Sequence, residues 1–306
     1  MSSDNAAVNR PEAAPEAPYR PPSEHYENFP VASVLCPPRL RAPIAAIYWF
    51  ARTADDIADE GDAPADQRLD DLASYRHDLL AIARGQSHGG RWPAVFEPLA
   101  VAIAGFGLPT GLLADLLDAF EQDVVFTAAS RRYQTDAELL DYCRRSANPV
   151  GRLLLHLYGI HDPETADQSD LVCTALQLIN FWQDMRRDIA RARWYASVEQ
   201  MSRHGVADAD LQPDSDSGAA ARMVASYASN ARSMMLRGAP LAQRIPGRAG
   251  WELRLVIQGG LRILDKMADM RHATWRSRPT LGRRDVPILA WRAWRLDYGH
   301  RVALPA

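Results

Sequence analysis

Asp55 and Asp59 stand four residues apart in Arg52-Thr-Ala-Asp-Asp-Ile-Ala-Asp59, and Asp184 and Asp188 repeat the spacing in Gln183-Asp-Met-Arg-Arg-Asp188. Positions i and i+4 of a helix share a face, so each pair can aim two carboxylates at one ion. Two such pairs on separate helices suit magnesium ions bridging to a diphosphate. Mg²⁺ keeps several waters and takes one or two carboxylates together with phosphate oxygens. The spacing alone discriminates poorly: the chain holds 27 aspartates in 306 residues, and six pairs occur where chance placement gives about two. Asp62/Asp66, Asp66/Asp70 and Asp210/Asp214 fall in polar stretches or at helix starts, where capping and solubility account for them. Asp265/Asp269 lies on a helical pattern beside Lys266, with Leu261, Leu264 and Ala268 to one side, and reads as a solvated face.

Surroundings set the two favoured pairs apart. Asp55 continues the face carrying Tyr48, Ala51 and Arg52 within an otherwise apolar helix. Asp184 and Asp188 extend a polar row that begins at Gln177 and Asn180, with Leu176, Ile179 and Phe181 beside it. Such a row is costly to bury unless it binds something. Arg193 and Tyr195, just beyond, could complete a phosphate contact.

The elements that must carry these residues are helical. Pro37-Pro38 starts a pattern through Leu40, Ile44, Ile47, Tyr48 and Ala51 that runs to Gly61. Further helices are expected over Asp66–Arg84, up to Gly105, and along the stripe Leu112, Leu113, Leu116, Leu117, Phe120, Val124, with Asp115, Asp118 and Glu121 off it. A pattern over Thr135–Ala147 is bent by Asn148-Pro149 and resumes through Tyr158, and Pro163 opens a long helix through Ala190. Asp208–Gly218 reads as a polar loop, followed by two long helices, the last ending near Tyr298. No alternating strand pattern or solenoid repeat occurs. The expectation is one all-α domain over residues 23–306, after a proline-rich disordered tail at 1–22.

Composition excludes other classes. With Lys+Arg 35 against Asp+Glu 38, the net charge of -3 offers no general field for nucleic acid. Cys36, Cys143 and Cys173 have no CxxC spacing, which argues against a disulfide scaffold or a thiolate zinc site. Gly105-Phe-Gly-Leu-Pro-Thr-Gly111 has the wrong spacing for a dinucleotide site, and the histidines show no paired-ligand spacing. No apolar run reaches the ~18 residues of a membrane span, so a cytoplasmic protein is expected. Trp275, Trp291 and Trp294 interleave with Arg276, Arg278, Arg292 and Arg295. That stretch could touch the inner membrane surface, but packing of an ordinary amphipathic helix is the favoured reading.

These residues resemble the squalene and phytoene synthase family of head-to-head prenyl synthases. The likeness rests on Glu27-Asn-Phe-Pro-Val-Ala-Ser33, Arg41 and Ile47-Tyr-Trp-Phe-Ala-Arg-Thr-Ala-Asp-Asp-Ile-Ala-Asp-Glu60. It continues in Tyr142-Cys-Arg-Arg-Ser-Ala-Asn-Pro-Val-Gly151, in Gln177-Leu-Ile-Asn-Phe-Trp-Gln-Asp-Met-Arg-Arg-Asp188 and in Arg193-x-Tyr195. With the tail Arg278-Pro-Thr-Leu-Gly-Arg-Arg-Asp285, the blocks look most like the hopanoid-pathway branch that acts on presqualene diphosphate.

The resemblance implies an isoprenoid-synthase-type helical bundle around a central cavity, with the aspartate pairs facing across its mouth. Asp55, Asp59, Asp184 and Asp188 then match Mg²⁺ ligands, with Mn²⁺ as a substitute, and Asn180 lies beside the second pair. Arg52, Arg193 and Tyr195 match diphosphate contacts, and Gln177 shares their row. Phe29, Tyr48 and Tyr142 match cavity residues whose aromatic faces can shelter a carbocation, and Gly151 lets the chain approach substrate closely. Tyr142 and Asn180 are the candidates for placing water. Three departures stand out. Gln183 replaces the usual arginine, so one diphosphate contact is lost or remade. Ala196-Ser197 replaces an apolar residue and proline, and no tyrosine lies near Gly259-Gly260-Leu261.

The implied activity is conversion of presqualene diphosphate and water to hydroxysqualene, without NADPH and in association with other enzymes of the squalene pathway. Head-to-head condensation of two prenyl diphosphates is the alternative, and a silent helical assembly factor a third reading. Four carboxylates gathered at electrostatic cost argue against the last.

Overall fold

Pro38 opens α1 (Pro38–Asp59): proline has no N–H to lose in the first turn, and its φ is already helical. The computed structural model describes residues 36–295. After α1 it places α2 (Ala65–Ala83), α3 (Pro93–Phe106), α4 (Thr110–Ala128), α5 (Asp136–Ser146), α6 (Asn148–Leu157) and α7 (Pro163–Ala190). There follow α8 (Val198–His204), α9 (Gly218–Gly238), α10 (Leu241–Arg244), α11 (Gly247–Asp269) and α12 (Val286–Arg295), with a 3₁₀ turn at Asp208–Leu211. No strand occurs among the described residues, so the all-α reading holds. The tail at 1–22, Phe29 and Tyr298 lie outside the described residues.

Local chemistry explains the breaks that matter. Thr135 caps α5 by accepting the Glu138 N–H at 3.2 Å, and the Glu138 carboxylate accepts the Gln134 N–H at 2.7 Å. Ala147 separates α5 from α6, and Pro149, lacking an N–H, cannot continue the ladder. Asp162 caps α7 through the Thr165 N–H at 2.9 Å, with Pro163 at its first turn. Ser197 does the same for α8, so the departure Ala196-Ser197 becomes a helix start.

Two apolar cores result. One gathers α1, α2 and α3 with the inner faces of α4 and α6, around Phe50, Tyr75, Phe96 and Leu117. The other gathers α5, α7, α9 and α11, around Trp182, Tyr227 and Trp275. Helix α1 packs on α2, α3 and α4, α7 packs on α5, α6, α9 and α11, and α1 and α7 make no extensive contact with each other. Across the seam between the cores, Arg193, just after α7, reaches Asp59 at the end of α1. No described helix is long and apolar enough to cross a membrane.

One sequence expectation is corrected here. Asp265 is not on a solvated face: it accepts hydrogen bonds from Arg232 of α9 and Arg292 of α12, both at 2.7 Å, and so ties three helices together. Partly buried pairs of this kind contribute about 1 kcal/mol. Asp265→Asn should lower the melting temperature by about 2–4 °C and leave turnover unchanged, which thermal melts alongside product assays will check.

Candidate active site

A row of half-buried residues runs along α1 through Tyr48, Arg52, Asp55 and Asp59, and a second along α7 through Gln177, Asn180, Asp184 and Asp188. Both rows keep the helical spacing, so each lies on one face. Arg193 joins them: its guanidinium grips Asp59 with both terminal nitrogens, Nη1 donating to Oδ2 at 2.6 Å. The segment after α7 is thereby tied to the end of α1, 134 positions away in sequence.

Arginines partly balance the other carboxylates. Arg52 donates to Asp55 at 3.0 Å and pairs with Asp56 at 2.7 Å. Arg278, from the segment before α12, pairs with Asp184 through Nε and Nη2. The Asp188 carboxylate has no hydrogen-bond partner among the described residues, and neither have the side chains of Gln177 and Asn180, although the Asp188 carbonyl accepts the Arg193 N–H at 2.8 Å.

The surplus of negative charge shows in acidity. Burial, reinforced by the Asp59 charge, pushes the Asp55 carboxyl up to about 7. Burial and the Asp184 charge push Asp188 up to about 7 as well. These groups remain open to solvent (the Asp55 side chain is 38% exposed) while protein surrounds them, as befits the wall of a recess.

Asp123 on α4 shares the same condition. Burial raises its carboxyl to about 7, and the Tyr142 hydroxyl donates to its Oδ2 at 2.6 Å. Tyr142 belongs to an aromatic wall with Tyr133, Phe181 and Tyr195, in which Tyr195 stacks on Phe181 at 3.7 Å between ring centroids. The rings of Tyr142 and Tyr195 sit so deeply that burial keeps both hydroxyls protonated far above the usual range.

These raised carboxyls fix a pH dependence. Each binds a proton in the folded chain between about pH 4, where an unfolded carboxyl titrates, and about pH 7. Their stabilising contribution is full below pH ~4 and is lost as pH rises through ~7. Chelator-treated protein should therefore melt lower at pH 8 than at pH 6, and Asp123→Asn should flatten that slope. A slope unaltered by the substitution would count against the assignment.

The family model for squalene/phytoene synthase matches residues 23–286. The chain belongs to the squalene/phytoene synthase family. Among relatives, it is 34% identical over 245 residues to a hydroxysqualene synthase of Sinorhizobium fredii, covering 80% of this chain and 79% of that one. It is 36% identical over 236 residues to a hydroxysqualene synthase of Rhodopseudomonas palustris, covering 75% of each. Among solved structures, a squalene synthase HpnC from Alicyclobacillus acidocaldarius superposes with a TM-score of 0.72 at 33% identity, covering 81% of this chain and 90% of that one.

In this squalene/phytoene synthase the sequence-derived site residues fall into three groups. Asp55, Asp59, Asp188, Arg193, Tyr142 and Tyr195 share one electrostatic neighbourhood with Asp123, Arg52 pairs with Asp55 and Asp184 neighbours Asp188, while Tyr48, Gln177 and Asn180 continue the same rows along α1 and α7. Phe29 lies outside the described residues. Gly151, which the resemblance puts beside substrate, is buried against α7, where an added Cβ would come within 2.6 Å of Cys173 Sγ and closer still to Ser169 Oγ. Helix packing is what requires glycine there.

Gln183 is also explained. It is 3% exposed and its Nε2 donates to the Pro279 carbonyl at 2.8 Å, which anchors the segment whose Arg278 reaches Asp184. A cation from elsewhere in the chain thus stands beside the second pair.

No three His, Cys, Asp or Glu side chains form a self-sufficient metal cage among the described residues. The donor set still fits Mg²⁺: hard carboxylate oxygens in pairs, with the Asp188 carboxylate left without an ion-pair partner among the described residues and Asp55 crowded by the Asp59 charge. Mg²⁺ shared with a diphosphate needs no more than that from the protein.

Proposed function

We propose that this chain converts presqualene diphosphate and water into hydroxysqualene and diphosphate, a step of hopanoid synthesis. What carries the reading is the reach of Arg193, which follows the second aspartate block, to Asp59 of the first in a chain 34% and 36% identical to two hydroxysqualene synthases. Asp55 and Asp59 on one side and Asp184 and Asp188 on the other would hold Mg²⁺, or Mn²⁺ in its place. When bound, the metal neutralises charge on the diphosphate and makes it a better leaving group.

The chain's own residues do the rest. Arg52, Arg193 and Arg278 are placed to exchange their carboxylate partners for diphosphate oxygens, a charge-assisted contact that Arg makes with two parallel N–H groups. As the C–O bond breaks, both electrons leave with the diphosphate and a cyclopropylcarbinyl cation remains. Tyr48, Tyr142 and Tyr195 offer ring faces that favour positive charge without attacking it. The cation opens, water adds to carbon, and the proton is lost to solvent or to a carboxylate. Asn180 and Tyr142 are our candidates for holding that water, with Gln177 contacting substrate beside them. Tyr142 is oriented for the task by Asp123. No step calls for a hydride, so NADPH has no part.

Another relative, a presqualene diphosphate synthase of Rhodopseudomonas palustris, is 31% identical over 60% of this chain, which keeps head-to-head condensation as the second reading. In the first, a companion enzyme supplies the substrate, and association with it in the cytoplasm would shorten transfer. The test is purified protein with Mg²⁺ and either presqualene diphosphate or farnesyl diphosphate, with and without NADPH, products being resolved by mass spectrometry. We expect a C30 alcohol from presqualene diphosphate and almost none from farnesyl diphosphate, with no response to NADPH. Squalene made from farnesyl diphosphate in an NADPH-dependent way would promote the second reading.

A further inference from the structure

Helix α12 is turned the wrong way round for a helix facing water. Ala293, 1% exposed, is its one buried residue, whereas Trp294 is 65% exposed, Val286 61%, Trp291 53% and Ile288 36%. A surface helix ordinarily buries its large apolar side chains and shows polar ones. Here the two indoles lie side by side on the outside, 5.7 Å between centroids, and the Arg295 guanidinium covers the Trp291 ring at 5.1 Å. The packing reading favoured from sequence thus holds for Trp275, buried in the second core, and on α12 only for the narrow inner edge.

Among the described residues of this segment, the charges left unpaired are positive. Arg283 and Arg284 precede the helix, are exposed, and form no ion pair among the described residues. The neighbouring carboxylates are turned inward and neutralised. Asp285 is held by Arg262 at 2.8 Å and Lys266 at 2.6 Å, and Asp265 by Arg232 and Arg292. Helix α12 itself contains no acidic residue. Two exposed tryptophans, two aliphatic residues and three outward arginines are the composition of a helix that lies in a lipid headgroup layer. There the indoles sit at the polar boundary and each arginine adds attraction to anionic lipid.

We propose that the outer face of α12, with Arg283, Arg284 and Arg295, docks on an anionic phospholipid bilayer. The site's position gives the docking a use, and this one step rests on the proposed substrate. The segment leading into α12 is pinned by Gln183 at the Pro279 carbonyl and by Lys266 at the Thr280 carbonyl, and it delivers Arg278 to Asp184. The short segment 278–285 therefore links the docking face to the second aspartate pair, and a C30 diphosphate dissolved in the bilayer would have a short path to the site.

The test uses the full chain without substrate, sedimented with vesicles of mixed phosphatidylglycerol and phosphatidylcholine or of phosphatidylcholine alone. The wild type should bind the anionic vesicles at least about tenfold more tightly, and salt should weaken that binding. Trp291→Ser/Trp294→Ser and, separately, Arg283→Glu/Arg284→Glu should each lose about tenfold or more with unchanged melting temperature. Val101→Ser, which removes another exposed apolar residue (74%) on α3, should bind as the wild type does. Equal binding by the tryptophan variant and the wild type would overturn the proposal, as would failure of the wild type to bind. It would also fall if the tryptophan variant changed only the oligomeric state in light scattering, since the face would then serve a second copy of the chain. Because no substrate is present, failure of the catalytic reading leaves the vesicle result untouched, and the converse also holds.

Discussion

Asp55→Asn and Asp184→Asn should each reduce turnover of presqualene diphosphate by about a hundredfold or more while leaving the helical signal and cooperative melting intact. The amide keeps the size of the carboxylate and loses its charge, so the effect reports charge rather than packing. Among the described residues each carboxylate is held only by an arginine, Arg52 for Asp55 and Arg278 for Asp184, and neither anchors a core helix. Removing a surplus charge from the Asp55/Asp59 pair should even raise stability slightly in metal-free protein, because like charges in a recess repel. Asp265→Asn is the contrast: an aspartate at the same spacing whose loss costs stability and not rate. Steady-state rates and thermal melts on the three variants decide the matter. Near wild-type turnover in the first two would remove the metal assignment.

Asp123→Asn should separate activity from stability in the same direction. The Asp123 carboxyl accepts the Tyr142 hydroxyl at 2.6 Å and is raised to about 7 by burial. An amide oxygen can still accept that hydrogen bond, so the fold should hold or gain, since a group that resists ionising is replaced by one that cannot ionise. What disappears is a negative charge facing the aromatic wall where the cation would form. A charge acting in a recess of low polarity is worth far more than in water, and the expected loss is about tenfold to a hundredfold in kcat with little change in KM. A loss confined to KM would place Asp123 in substrate binding instead.

The sequence pattern made the acidic helices legible because each signal is local. Pro38 and Pro163 mark where α1 and α7 begin, and the spacing within Arg52-to-Asp59 and Gln177-to-Asp188 places their residues on single faces. The short helices α8 and α10 and the 3₁₀ turn have too few residues to show a period. Asp123 has no partner four residues away, so a search for paired carboxylates passes over it. Its signal was register: it lies seven residues after Leu116, two turns on along the apolar stripe of α4, where a charge is out of place. Arg278 and Gln183 were illegible for a different reason. Their partnership with Asp184 and the Pro279 carbonyl spans more than ninety residues through a segment without periodicity. Asp265 misled because its arginine partners come from α9 and α12, which no pattern within α11 reveals.

Turnover of presqualene diphosphate in water enriched with ¹⁸O tests the central claim most directly. The product should be a C30 alcohol carrying one ¹⁸O, with unlabelled diphosphate released, because the broken bond is C–O and the new oxygen comes from solvent. A C30 alcohol without label, or label found only in the released diphosphate, would contradict the account.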